Sequence, residues 1–164
     1  MINNKTDLGK IPTLSNQSNI CLIAATYYKK ITEDLILGCS EVLKKVDMEV
    51  NIIEVSGALE IPTAIKILEN RYDGFVAIGC VIRGETSHYE IVSQESARAI
   101  SKLGLQKLCI GNCILTVENE RQAQERADPL GQNKGGEATI AMLQLLKIKE
   151  DEKKKSAKKL WNRK

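Results

Sequence analysis

Four short apolar segments, each followed by a stretch with the spacing of an amphipathic helix, constrain the fold of this chain most strongly. The segments lie at 19–25, 49–55, 76–80 and 107–115 and are rich in β-branched and small residues. Apolar runs of this length are typical of strands, and the most continuous ones are typical of strands buried on both faces of a parallel sheet. We therefore predict an α/β fold, a three-layer sandwich with a four-stranded, mainly parallel sheet flanked by helices.

The helical stretches predict where individual helices begin and end. Thr32 could cap the first helix, and Pro62 suits the first turn of the second because an N–H group is not needed there. Gly104 is placed to end the third helix. The apolar residues near the end of the chain predict a last helix over 136–148.

Polar and titratable side chains are concentrated where the predicted strands end, which is the edge of a parallel sheet where ligands bind. The chain after the third strand reads RGETSH from Arg83 to His88, and His88 is the single histidine among 164 residues. A helix that begins there would present unpaired N–H groups to an anion, with an imidazole beside it that can transfer a proton. Thr86 and Ser87 could instead be simple helix caps, so both interpretations stay open on this segment alone.

Four segments, in order along the chain, carry a resemblance to a known family. They are GALEIP (57–62), GCVIRGETSHYE (79–90), ILTVEN with QAQERA (114–127) and NKGGEA (133–138). Together they resemble the lumazine synthase family over roughly residues 19–147, and the VIRGxTxHY pattern is the most specific part.

The resemblance implies a transferase reaction in riboflavin biosynthesis. In that reaction 5-amino-6-(D-ribitylamino)uracil condenses with 3,4-dihydroxy-2-butanone 4-phosphate to give 6,7-dimethyl-8-ribityllumazine, phosphate and water, which is the penultimate step of the pathway. Neither a metal nor an organic cofactor is expected.

The resemblance also implies which residues form the site, position by position. His88 matches the proposed catalytic acid and base. The positions that match contacts to the ribitylaminouracil substrate are Tyr27, Ala58, Leu59, Glu60, Cys80, Val81, Ile82 and Asn112. Those that match contacts to the butanone phosphate are Glu85, Thr86, Arg126 and Lys134. The family often has phenylalanine at the positions of Leu59 and Asn112, so this chain departs from the family pattern there.

The family places this site between neighbouring subunits of a pentamer, and in some members twelve pentamers form a hollow shell. The resemblance therefore implies a homo-oligomer in which Arg126 and Lys134 reach the site of an adjoining copy. From the residues alone, a surface contact with Glu125 or Gln122 is the alternative interpretation of Arg126. The other expected partners are the two small-molecule substrates, with no membrane contact.

Cysteine usage and the N-terminal sequence indicate a cytoplasmic protein. The five cysteines form no CxxC pair and their number is odd, so they are expected to be small buried hydrophobic residues in a reducing compartment. A single histidine without a cysteine cluster argues against a zinc site. The sequence also lacks a signal-peptide pattern and an apolar run long enough to span a membrane.

Charge separates the chain into a mildly acidic body and a basic end. Residues 147–164 carry nine Lys or Arg and three Asp or Glu, so residues 1–146 carry fifteen basic and eighteen acidic residues. The predicted division is an arm at 1–18 that becomes ordered only if something docks on it, an α/β domain at 19–148 and a basic tail at 149–164. Such a tail could bind nucleic acid, but terminal charge runs are more often solvated and no nucleic-acid-binding module is recognisable, so nucleic acid is not expected as a partner.

Two other functions fit parts of the pattern. A non-catalytic flavin- or pterin-binding shell protein would keep the pocket and the assembly without turnover, but the presence of His88 and Arg126 speaks against it. A flavodoxin-like phosphate-binding module is weakened by the absence of a GxGxxG or GxxxxGK(S/T) sequence.

Overall fold

The predicted alternation of strands and helices is confirmed in the computed structural model, which describes residues 9–15 and 17–161. Every predicted strand and helix is present, although several ends differ from the prediction. In chain order the elements are β1 (Ile20–Ala25), α1 (Lys29–Lys44), β2 (Val50–Val55), α2 (Glu60–Leu68), β3 (Gly74–Ile82), α3 (His88–Leu105), β4 (Cys109–Val117), α4 (Glu120–Ala127) and α5 (Lys134–Trp161).

The sheet has four strands in the order β2-β1-β3-β4, and all of its strand pairs are parallel. β1 and most of β3 are buried on both faces, as their nearly continuous apolar sequences predict. β3 and β4 stay in register from Gly74 opposite Cys109 to Ile82 opposite Val117. Because the strands are parallel, all four carboxyl ends lie at one edge of the sheet.

The hydrophobic core consists of two clusters, one on each face of the sheet, which confirms the three-layer arrangement. Alternate residues of β1 supply both clusters. Leu22 packs in the cluster with Leu35 of α1 and Leu143 of α5, whereas Ile23 packs in the cluster with Ile65 of α2. All five cysteines are buried free thiols, which confirms the prediction that they are small core residues.

Two predicted helix ends are wrong, each for a local reason. α1 begins one turn before Thr32, whose hydroxyl donates to the carbonyl oxygen of Ala25 at 2.7 Å instead of capping the helix. α3 runs past Gly104, and the left-handed residue that follows the helix is Lys107, with a φ of 70°. Pro62 lies in the first turn of α2, as predicted.

α5 extends beyond the predicted helix at both ends, so the prediction of a helix confined to 136–148 is wrong. The added turns at its carboxyl end consist largely of lysine and glutamate, which are good helix formers without any apolar stripe. Pairs at helical spacing, such as Lys147 with Asp151 at 2.8 Å, fit this continuation. Although α5 has 28 residues, neither it nor another helix in the described ranges has the length and apolar character needed to cross a bilayer.

Residues 9–15 lie against the body of the same chain. Ile11 and Leu14 pack on the core cluster beneath α1 and α5, and the Ser15 N–H group donates to both carboxylate oxygens of Glu150 at 3.1 and 3.2 Å. Two apolar side chains of the predicted arm thus find contacts on this chain, and the expectation that the arm orders only on docking stays a prediction. Residues 1–8 and 16, on which the same expectation falls, lie outside the described residues.

Candidate active site

A cleft of about 540 Å³ opens at the edge of the sheet where the strands end. It is bordered by the β1–α1 turn, the β2–α2 turn, the end of β3 and the first turns of α3. Nine of the thirteen residues predicted for the site line this cleft: Tyr27, Ala58, Leu59, Glu60, Cys80, Val81, Ile82, Thr86 and His88. Parallel pairing brings these residues together although they are distant in the sequence.

The β1–α1 turn places two tyrosine rings at the cleft. The Thr26 N–H group donates to the Val55 carbonyl oxygen at 3.1 Å, which ties the end of β1 to the end of β2. Tyr27 follows and is 77% exposed, and its ring meets the edge of the Tyr28 ring at a centroid distance of 4.9 Å. An exposed aromatic ring braced by a second ring suits stacking on a planar heterocycle.

The β2–α2 turn supplies a short segment of backbone and one carboxylate. The Glu60 N–H group donates to the Gly57 carbonyl oxygen at 3.3 Å as α2 begins. Ala58 is buried beneath this turn, whereas Leu59 and Glu60 are exposed toward the cleft. A carboxylate accepts hydrogen bonds from hydroxyl groups, so this edge of the cleft can bind a polyol chain.

The end of β3 contributes apolar surface to the cleft. Cys80 is buried, and the next two residues, Val81 and Ile82, are half-buried. Burial raises the pKa of the Cys80 thiol to about 11, so the thiol is protonated at neutral pH and is a poor nucleophile. These three side chains offer a nonpolar surface against which a ring can pack.

His88 is the first residue of α3 and stands at the rim of the cleft. The loop of residues 83–87 that precedes it is exposed. Ser87 occupies the cap position without a side-chain cap hydrogen bond, and the His88 N–H group makes only a long contact, 3.4 Å, with the Thr86 hydroxyl. Simple capping therefore accounts for little of this segment, and the exposed start of α3 can donate N–H groups to an anion.

Four predicted residues do not line the cleft of a single chain: Glu85, Asn112, Arg126 and Lys134. Glu85 lies in the loop before α3 with its side chain exposed. Asn112 lies in the middle of β4, where its Oδ1 accepts from the Ile114 N–H group at 3.1 Å. No lysine or arginine is among the described residues that line the cleft, so an anion bound there would need positive charge from elsewhere.

Arg126 and Lys134 belong to α4 and α5, which pack on the opposite face of the sheet from α3. Arg126 is half-buried, and its Nη1 donates to the Gln122 carbonyl oxygen at 3.1 Å. Glu125 pairs with Arg121 at 2.9 Å, so of the two surface contacts considered for Arg126 the structure contains the one to Gln122. The guanidinium retains N–H groups beyond this single bond.

Comparison with known proteins identifies the family. Residues 17–150 match the family model described as 6,7-dimethyl-8-ribityllumazine synthase. The chain belongs to this family. The predicted resemblance to lumazine synthases is thereby confirmed over most of the chain.

Curated relatives carry the same description. A 6,7-dimethyl-8-ribityllumazine synthase of Novosphingobium aromaticivorans is 51% identical over 131 residues, which cover 79% of this chain and 94% of the relative. The protein of that name from Jannaschia sp. is 46% identical over 144 residues, covering 87% of this chain and 80% of the relative. That from Zymomonas mobilis is 48% identical over 130 residues, covering 78% and 94%.

The NKGG segment of the lumazine synthase resemblance forms a tightly packed turn that places Lys134. Asn133 has a φ of 47°, is buried, and its Oδ1 accepts from the Gly136 N–H group at 2.9 Å, which caps α5. A Cβ atom on Gly135 would lie 2.2 Å from the carbonyl oxygen of Leu35 in α1, so only glycine fits there. The segment fixes the start of α5 against α1 and thereby the backbone of Lys134.

Five residues that line the cleft were not predicted: Tyr28, Gly57, Gly84, Tyr89 and Val92. Two simple signals would have found most of them. Val92 lies four residues after His88 and so shares its face of α3, and Tyr28 and Tyr89 adjoin predicted residues. For this lumazine synthase family member the cleft is therefore more aromatic than the predicted set.

Proposed function

We propose that this chain catalyses the condensation of 5-amino-6-(D-ribitylamino)uracil with 3,4-dihydroxy-2-butanone 4-phosphate to 6,7-dimethyl-8-ribityllumazine, phosphate and water. The observation that carries the proposal is a cleft formed by three strand ends with His88 at its rim, in a member of the lumazine synthase family. The protein acts in the cytoplasm as a transferase of riboflavin biosynthesis, on two small molecules and without a metal or organic cofactor.

The pyrimidine substrate is proposed to lie in the apolar part of the cleft. Its ring stacks on the exposed Tyr27 and packs on the buried Cys80 and the half-buried side chains of residues 81–82. Its ribityl chain extends along the turn at 58–60, where backbone groups and the Glu60 carboxylate accept from hydroxyl groups. The exposed side-chain amide of Asn112 on β4 is assigned a contact to the same substrate.

The phosphate of the second substrate is proposed to bind at the start of α3. Thr86 and the backbone N–H groups at the helix N-terminus provide donors, and the Glu85 side chain points away while its backbone contributes. This chain's own cleft-lining side chains include no cation among the described residues. Arg126 and Lys134 of an adjoining copy supply that charge, and the bidentate geometry of a guanidinium suits a phosphate.

His88 is proposed to transfer the protons that the reaction moves. The substrate amine attacks the ketone carbon and one water is lost as the C=N bond forms, phosphate leaves the four-carbon unit, and the second ring closes with loss of a second water. Each of these steps needs a proton accepted from nitrogen or carbon or donated to a departing oxygen. An exposed imidazole at the cleft rim can perform both, while the cleft contributes by holding the two substrates together.

The need for charge from outside the cleft supports a shared site and hence a ring of copies. We propose a homopentamer, alone or as part of a larger assembly of pentamers, in which each copy gives Arg126 and Lys134 to the next. Head-to-tail contacts of this kind close into rings. An isolated chain would then be inactive because its cleft lacks the phosphate-binding cations.

A mixing experiment tests both the reaction and the sharing of the site. His88→Ala and Arg126→Ala chains are co-expressed with different tags, purified as mixed rings, and assayed for lumazine fluorescence from both substrates. In randomly mixed rings about one quarter of the sites would combine an intact His88 with an intact Arg126, so activity should return to about a quarter of the wild-type value.

Three controls make the outcome decisive. Each variant alone should be nearly inactive, and variants purified separately and not mixed should stay so. Wild-type protein that yields no lumazine product would contradict the proposed reaction. If wild type is active but mixed rings recover no activity, the proposed reaction is retained and the sharing of the site between copies is rejected.

A further inference from the structure

Arg83 makes more polar contacts than any other described side chain near the cleft, yet it does not line the cleft. Its Nε donates to the carboxylate of Glu118 at 2.7 Å, just after β4, and its Nη1 donates to the carboxylate of Glu90 in the first turn of α3. Its guanidinium carbon also lies 4.1 Å from the centre of the Tyr89 ring. One side chain thus joins three successive parts of the fold.

The contacts of Arg83 continue to α4. The Glu118 N–H group donates to the Gln122 side chain at 3.0 Å, and the Gln122 carbonyl oxygen accepts from Arg126 at 3.1 Å. The Arg83 N–H group donates to the Val117 carbonyl oxygen at 2.9 Å, which anchors the start of the loop to the end of β4. A set of hydrogen bonds, joined to one another through the residues Glu118 and Gln122, therefore runs from the loop before His88 to the helix that carries Arg126.

The chemistry of these contacts requires an arginine. A guanidinium can bind two carboxylates in different directions and stack on an aromatic ring at the same time, whereas an ammonium group cannot do all three. The hydrogen bond from Arg83 lowers the pKa of Glu90 below its ordinary value, so this carboxylate is charged at neutral pH. Because all three charged groups are substantially exposed, the contacts are expected to fix geometry more than to stabilise the fold.

We propose that Arg83 is a positioning residue that sets the start of α3 and the α4 helix relative to each other. It acts through Thr86 and the backbone N–H groups at the start of α3 in its own cleft and through Arg126, which the proposed function assigns to the phosphate of an adjoining site. The inference rests on that proposed function for the identity of the ligand. The groups at both ends of this set of hydrogen bonds are assigned to phosphate binding. Replacing Arg83 should therefore weaken phosphate recognition and leave binding of the pyrimidine substrate unaffected.

Steady-state kinetics on Arg83→Ala test this inference, with Arg98→Ala as the matched control. Arg98 is an exposed arginine of α3 that pairs with Glu95 at 3.5 Å and is not among the cleft-lining residues. Arg83→Ala should raise KM for the butanone phosphate about tenfold and change KM for the pyrimidine less than about twofold. Arg83→Lys should recover only part of the loss, and Arg98→Ala should match wild type.

A merely structural role would give different results. Equal increases in both KM values together with a lower Tm, or unchanged kinetics for Arg83→Ala, would overturn the proposal. Should Arg83→Ala not fold, Glu118→Ala interrupts the same set of contacts at an exposed position and should show the same selective rise in KM. A Glu118→Ala variant with wild-type KM values would equally overturn it.

Titration with inorganic phosphate separates this inference from the proposed function. Arg83→Ala should bind phosphate about tenfold more weakly than wild type, whether or not wild type makes a lumazine product. If wild type makes no lumazine product but Arg83→Ala still binds phosphate more weakly than wild type, the positioning role is retained and the proposed reaction is rejected. Equal phosphate affinities of wild type and Arg83→Ala would reject the positioning role even if wild type is active.

Discussion

Two of the glycine-containing segments at helix starts in this fold differ in what surrounds them. The first, residues 83–88, leads into α3, and a Cβ atom added to Gly84 would meet nothing within 4 Å. The second, residues 133–136, forms the cap and first turn of α5, where a Cβ atom on Gly135 would lie 2.2 Å from a carbonyl oxygen of α1. Gly84 therefore has open space beside it, whereas Gly135 lies against the backbone of α1.

This difference separates a turn that can bind from a turn that packs. The turn before α3 is exposed at the rim of a cleft and Ser87 makes no side-chain cap hydrogen bond, so a ligand can approach the start of the helix. In the first turn of α5 the Gly136 N–H group already donates to the buried side chain of Asn133. Glycine followed by a helix is therefore evidence for an anion site only when the space beside it is empty.

The largest expected effect lies in the open turn and concerns turnover. His88→Ala should lower kcat by about 10²–10⁴, because a placed proton-transfer group typically contributes that much. KM for both substrates should change little, since the imidazole is assigned to chemistry and not to binding. The measurement is the rate of lumazine formation over a range of both substrate concentrations.

Stability provides the control for this prediction. Because His88 is exposed, its replacement should leave the Tm of the protein unchanged. A kcat within a few-fold of wild type would show that proton transfer is carried by another group. Loss of activity together with a marked fall in Tm would show that His88 stabilises the fold. The turn before α3 would then be packed like the first turn of α5.

A smaller effect, on stability, distinguishes the two glycines directly. Gly135→Ala should destabilise the protein by about 1–3 kcal/mol, because the new methyl group meets backbone that cannot move aside. Gly84→Ala should stay within about 0.5 kcal/mol of wild type, since its surroundings are empty. Urea unfolding of the three proteins measures both values, and equal losses would show that the α3 turn is also packed.

Most of the fold was predictable from the sequence because the strands are buried and continuous. The runs around Leu22 and Val76 are apolar without interruption, and only a strand inside a parallel sheet explains them at that length. The helix ends were less predictable. Thr32 resembles a cap in sequence, but its hydroxyl bonds to the carbonyl oxygen of Ala25, a contact that depends on how α1 returns over β1.

Much of the lining of the candidate cleft was predictable from the sequence. Tyr27, Glu60 and His88 follow three different strands, and parallel pairing alone brings strand ends to one edge. Arg126 and Lys134 could not be placed by that rule, because their helices follow β4 and pack on the other face of the sheet. In the proposed function their relation to a cleft depends on contacts between copies, about which hydrophobic periodicity within one chain carries no information.

The last predicted effect concerns the buried first turn of α5 at alkaline pH. The Cys39 thiol donates to the Gly135 carbonyl oxygen at 3.3 Å, and burial raises its pKa to about 12 from an ordinary value of 9.0. Between these values the unfolded chain loses this proton and the folded chain keeps it, so the free energy of unfolding falls as pH rises. Below about pH 9 both states keep the proton, so the free energy of unfolding should not depend on this thiol.

Thermal unfolding at pH 7 to 11 should show a shallower alkaline fall in Tm for Cys39→Ala than for wild type. Cys80→Ala, at the open cleft with a thiol pKa of about 11, should reduce the fall less. An alkaline fall of the same steepness in wild type and Cys39→Ala would mean that the turn before α5 opens to water more readily than its packing implies.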